Sequence, residues 1–163
     1  MAEHGAEFDC IHASPPCQYY TRLRGLPWLR NRSYWRSIPP TREALERSGK
    51  PWIIENVADA WWDMRNSALL GGQQMGLALF RHRRFEAPFL LLAPPHEKHH
   101  YTIEPGRASL GKRHQGLNGW NGVELRPTGV QRHRSIIGIE WMTGLELSQA
   151  IPPLYTEFIG KQL

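Results

Sequence analysis

The chain has 163 residues, with 20 Lys and Arg against 15 Asp and Glu for a formal net charge of +5, and 40% apolar side chains. That composition supports one globular core and excludes wholesale disorder. No apolar run approaches the roughly 20 residues of a bilayer span. The two cysteines, Cys10 and Cys17, are too few for a disulfide framework, and their separation fits no common zinc pair. The first residues have neither the basic head nor the apolar centre of a secretory signal, so the chain reads as cytoplasmic.

Phe8–Ala13 reads as a short strand stopped by Ser14-Pro15-Pro16, because neither proline can donate to a sheet ladder. From Gln18 to Pro40 follows an arginine- and aromatic-rich segment without a clean period, read as a mobile loop with some helical turn. Thr41–Ser48 is predicted as a short helix, with Thr41 as N-cap and Gly49 beyond its end. Pro51–Val57 is a buried strand with a polar end.

Strand, helix and strand with short links is the pattern of a parallel α/β sheet, whose ligand-facing residues lie beyond the strands' carboxyl ends. Cys17 follows one such end and Glu55 sits at the next. Further along, a strand is expected on each side of Arg84, placing two arginines on one face by alternation. The stretch from 94 to 140 is rich in Gly, His and basic residues and reads as a loop-rich insertion. Thr143-Gly144-Leu145-Glu146 is a capping box opening a helix to about Ala150, and Pro152-Pro153 opens a final amphipathic helix.

Ser14-Pro15-Pro16-Cys17-Gln18 with Glu55-Asn56-Val57 resembles the catalytic loop and acidic motif of DNA (cytosine-5) methyltransferases. Arg81-His82-Arg83 is similar to that family's paired-arginine motif, although Leu79 stands where its leading Gln is expected. Ala150–Tyr155 through Gly160 resembles its closing, cofactor-side segment. Taken in order, these motifs look closest to small bacteriophage and actinobacterial members.

The resemblance implies a partial Rossmann-like methyltransferase sheet, the catalytic half, over residues 1–93. A reduced target-recognition insertion over 94–140 and C-terminal helices over 141–163 returning to the α/β domain complete the expectation. It implies Cys17 as the thiol that adds to cytosine carbon 6, Glu55 as the proton partner at ring nitrogen 3, and Arg81 and Arg83 as their electrostatic support. Substrate contact is expected from Ser14, Pro15, Pro16, Gln18, Asn56, Val57, Arg22 and Arg24. The methyl donor, S-adenosylmethionine, is expected to meet Pro15, Asn56 and Tyr155. The partner implied is double-stranded DNA, with the target base extruded from the stack.

Only seven residues precede Phe8, against the roughly 60 that the donor-binding βαβαβ half needs. That half is accordingly expected from a complementary chain or a second copy. The alternative reading is a catalytically inactive remnant that binds DNA or regulates. Blander readings stand beside the catalytic candidates: Cys17 as a plain turn cysteine, Glu55 as a helix-capping carboxylate, Arg81 and Arg83 as a solvated strand face; Cys10 reads as a buried small hydrophobe. His96, His99 and His100 raise zinc, but their irregular spacing and the lack of a nearby cysteine argue for no metal site.

Overall fold

The computed structural model describes residues 7–96 and 129–163, which are mixed α/β. They divide into two compact units. Of the described residues, the first holds those through Leu70, His82–Ala93 and Leu163; the second holds Gly71–Arg81, 94–96 and 129–162. Helices from Val130 onward fall in the second unit.

The first unit is built on a four-stranded mixed sheet in the order β1-β2-β4-β3, from β1 (Ile11–Ala13), β2 (Trp52–Val57), β3 (Ala68–Leu70) and β4 (Arg83–Glu86). β1 and β2 are parallel, with Ala13 opposite Ile54, as the strand–helix–strand pattern requires. β4 runs antiparallel to both β2 and β3, so the sheet as a whole is not parallel. The link from β2 through β3 to β4 has no α-helix, only 3-10 turns at Ala58–Trp62 and Gln73–Met75, so nothing forces a parallel crossover.

Helix α1 (Ile38–Glu46) begins three residues before the expected start, with Ser37 rather than Thr41 at its N-cap position. Pro39 and Pro40 fit its first turn, where a missing N–H breaks no intrahelical bond. Gly49 closes the segment at φ +66°, the left-handed conformation that glycine adopts without a Cβ clash. Ile11, Ala13, Trp52 and Ile54 pack with Ile38 and Leu45 of α1, joined by Tyr20, Ala60 and Met64. Each fully buried side chain of this kind contributes about 2 kcal/mol.

Arg42 lies on the same buried stripe of α1, one turn from Ile38. Its guanidinium meets the Glu86 carboxylate in a two-pronged pair at 2.5 and 2.8 Å and donates to Asp63 O at 2.6 Å. Both side chains are almost wholly enclosed, a setting in which losing one partner strands a charge and costs about 3–5 kcal/mol.

One strand, β4, runs through Arg84 instead of flanking it, and Phe89–Leu92 is not a strand. Arg83 and Arg84, as strand neighbours, therefore point to opposite faces. Arg84 binds Ala58 O and Ser67, and burial pulls its pKa below the usual arginine value.

In the second unit, α2 (Val130–Ile137) occupies part of the stretch read as loop, so Gln131-Arg132-His133-Arg134 is helical. Its amphipathic turn buries Ile137, which clusters with Leu79, Ile139 and Leu147. The rest of that insertion, 97–128, lies outside the described residues, as do His99 and His100. α3 (Gly144–Gln149) has the expected capping box: Thr143 Oγ1 accepts from Glu146 N, and Glu146 accepts from Thr143 N at 2.7 Å. α4 (Pro153–Gly160) buries Tyr155 and Ile159 as its apolar spacing requires. No helix among the described residues is long and apolar enough to cross a membrane.

Candidate active site

Parallel pairing brings the carboxyl ends of β1 and β2 to one rim, and the antiparallel β4 begins there. The chain leaves β1 at Ala13, enters the diproline and turns at Cys17, whose carbonyl accepts from Tyr20 N at 2.9 Å and Thr21 N at 3.0 Å. Two side chains fasten that turn by its proline carbonyls. Asn56 Nδ2, from β2, donates to Pro15 O at 2.9 Å, and Ser37 Oγ donates to Pro16 O at 2.9 Å. The Cys17 thiol is free and half-buried.

Glu55 is 6% exposed, which forbids an unpaired charge. Its Oε1 lies 2.9 Å from Arg83 Nε, and the same guanidinium donates to His82 O at 2.8 Å. Register explains the meeting: Glu55 stands opposite Phe85 and Val57 opposite Arg83, so all four share one sheet face and Arg83 sits diagonally from Glu55. His12 shares that face through its pairing with Ile53. Desolvation lowers its pKa, and the Glu55 charge pulls the other way.

Glu55 is therefore an ion-paired carboxylate rather than a helix cap, the neighbouring 3-10 turn having Val57 at its cap position. Arg83, 17% exposed in its side chain, is no solvated strand residue. Arg81 belongs to the second unit, where it donates to Ser148 O at 2.8 Å and its carbonyl accepts from the Tyr155 hydroxyl. Ser14, Pro16 and Gln18 are exposed along the turn, and Val57 is half-buried at the end of β2. Cys10 is half-buried just before β1, and burial pushes its thiol pKa up, with the Ile11 amide opposing.

Pro15, Asn56 and Tyr155, the residues expected to meet a methyl donor, each take part in hydrogen bonds within the chain. Pro15 O and the Asn56 amide are bonded to each other, and Asn56 Oδ1 also accepts from Val57 N at 3.0 Å. Tyr155 is fully buried with its hydroxyl bonded in the second unit. No group of three or more His, Cys, Asp or Glu among the described residues could hold a metal ion.

The segment after Cys17 includes a 3-10 turn at Arg22–Gly25 and folds around a cleft of about 440 Å³. Tyr19, Arg24, Arg30, Arg32 and Tyr34 line it, and none of the described lining residues is a carboxylate. Arg24 donates to Tyr19 O at 2.7 Å and lies 5.2 Å from the centre of the Tyr19 ring, a cation–π contact.

Sequence reasoning missed Tyr20, Arg36, Ser37, Arg42, Asp63 and Glu86, which form the polar support of this rim. One signal was available. Ile38, Arg42 and Leu45 follow the i, i+4, i+7 spacing of a buried helix face, and an arginine on such a face demands a buried acid. Compared with protein-family models, curated proteins and solved structures, the chain matches none.

Proposed function

We propose that this chain is a DNA (cytosine-5) methyltransferase-type protein whose sheet is the catalytic half of a Rossmann-like domain. The observation that carries the reading is the rim itself. A thiol-bearing diproline turn is hydrogen-bonded to the strand that supplies a buried, arginine-paired glutamate.

In this reading the Cys17 thiolate adds to carbon 6 of an extruded cytosine, and the ring's electrons move toward nitrogen 3. Glu55 shares a proton with nitrogen 3 and stabilises the charge developing there, and Arg83 holds Glu55 in register. Carbon 5 becomes nucleophilic as a result. S-adenosylmethionine is the donor that supplies the methyl group in such a reaction. The resemblance assigns Pro15, Asn56 and Tyr155 to its contacts, with the remaining donor-binding half in a complementary chain or a second copy. The acid-free arginine and tyrosine cleft supports a nucleic-acid substrate, since guanidinium groups bind phosphates and aromatic faces stack on bases.

The thiol-addition step can be read without the donor. Duplex DNA carrying tritium at carbon 5 of cytosine should release it to water as Cys17 adds, carbon 5 takes a solvent proton, and tritium and thiol depart. Cys17→Ser is expected to abolish release, and Glu55→Gln to lower it by about 100-fold or more. DNA affinity should stay unchanged for both. Absence of release from the unaltered chain, with or without donor, overturns the reading. Retained DNA binding in that case favours a non-catalytic DNA-binding protein.

A further inference from the structure

Fifteen residues, Thr21–Trp35, separate Tyr20 from Arg36, yet both ends of that segment reach the same carboxylate. Tyr20 Oη donates to Asp63 Oδ2 at 2.9 Å, and Arg36 Nε donates to the same oxygen at 2.8 Å. A second guanidinium nitrogen of Arg36 bonds Asp63 Oδ1. The Tyr20 hydroxyl also accepts from Ile38 N at 3.0 Å, tying the start of the segment to the first turn of α1. Next to Arg36, Ser37 bonds Pro16 O, on the other side of Cys17. Asp63 is held from behind, its carbonyl taking Arg42 Nη2 and its N–H bonded to Ala60 O.

We propose that Asp63 is a positioning residue: it staples the two ends of the arginine-rich segment together and so fixes the Cys17 turn in its attacking geometry. The role rests on the methyltransferase reading above, but the staple itself does not. Asp63 is 8% exposed and lies on the 3-10 side of the sheet's link, while Glu55 and Arg83 share the opposite sheet face from the α1 cluster. Asp63 therefore acts through Tyr20 and the backbone of the turn. The Tyr20 and Thr21 amides report on it directly, because both donate to Cys17 O.

The test compares the unaltered chain with Asp63→Asn and with Arg36→Gln, whose side chain is 53% exposed and replaceable without emptying the core. Amide hydrogen exchange at Tyr20 and Thr21 is expected to quicken about tenfold or more in both, as local opening becomes easier. Ile53 and Ile54 in β2 should change by less than about twofold. Tritium-release turnover of Asp63→Asn is expected to fall roughly tenfold with DNA affinity kept, the signature of a misplaced reacting group. Unchanged exchange at Tyr20 and Thr21 overturns the staple, as does equal quickening across β2, which marks a purely structural loss. Turnover and affinity falling together overturns the positioning role. If the unaltered chain releases no tritium, the functional reading fails, and the exchange comparison alone decides the staple.

Discussion

Tyr20 and Asp63 respond to pH in opposite directions. Burial first, and the neighbouring Asp63 charge after it, push the Tyr20 phenol up to about 12, while the amide of Ile38 opposes. A raised value means that the fold prefers the neutral phenol. Its contribution is intact below the ordinary tyrosine value of about 10 and is lost as pH climbs through about 12, a change of about 3 kcal/mol. Thermal unfolding followed from pH 8 to 12 should show this fall, and Tyr20→Phe should flatten it while lowering stability at neutral pH. Asp63 is the reverse case: hydrogen bonding from Arg36, then from Tyr20, holds its carboxyl below the ordinary value against desolvation. Its contribution is present above about pH 4 and fades as pH falls through its lower folded value. An Asp63→Asn variant whose stability fell just as steeply with acid would show that other carboxylates govern that limb.

Elements made by local chemistry were legible in the sequence, and elements made by tertiary pairing were not. The capping box at Thr143 and Glu146, the diproline stop after β1 and the buried strand ending in Glu55-Asn56-Val57 depend on near neighbours, and each appears as read. The start of α1 was misplaced because Pro39 and Pro40 look like breakers, although first-turn positions tolerate them. β4 was misread because its antiparallel partners come from Trp52–Val57 and Ala68–Leu70, and nothing within Arg83–Glu86 announces them. The placement of Cys17 after β1 and of Glu55 near the end of β2 was readable from strand-end logic, whereas the pairing of Arg83 with Glu55 and of Tyr20 with Asp63 became visible only once distant segments met. One tight passage between elements offers a direct test. A Cβ placed on Gly72 would lie 1.7 Å from Leu79 O, a backbone atom that cannot swing aside. Gly72→Ala is expected to destabilise the protein by about 1–3 kcal/mol or more in denaturant unfolding. A neutral result would show that this passage relaxes freely.

At the scale of the whole molecule, charge is concentrated rather than spread. Residues 18–40 contain five arginines and no acid, so this one segment equals the net excess of +5, and the remaining charges balance. Polyanion binding should therefore depend on this segment more than on overall basicity. Replacing Arg30 and Arg32 together by alanine should weaken duplex DNA binding similarly for all sequences. The slope of log affinity against log salt should shrink by roughly 2, the release of two counterions. Unaltered slope and affinity would locate the anion surface elsewhere.

The direction of travel of three strands has a consequence of its own. The polypeptide exits β1 and β2 and enters β4 at one shared border, so membership of the site is decided by threading and not by any individual attraction. The Ser48–Lys50 bend lies before β2, at the far border, where extra length or a graft would disturb α1's exit before it disturbed the thiol or the carboxylate. Added length at that bend therefore strains α1 first and leaves the border that carries Cys17 and Glu55 in place.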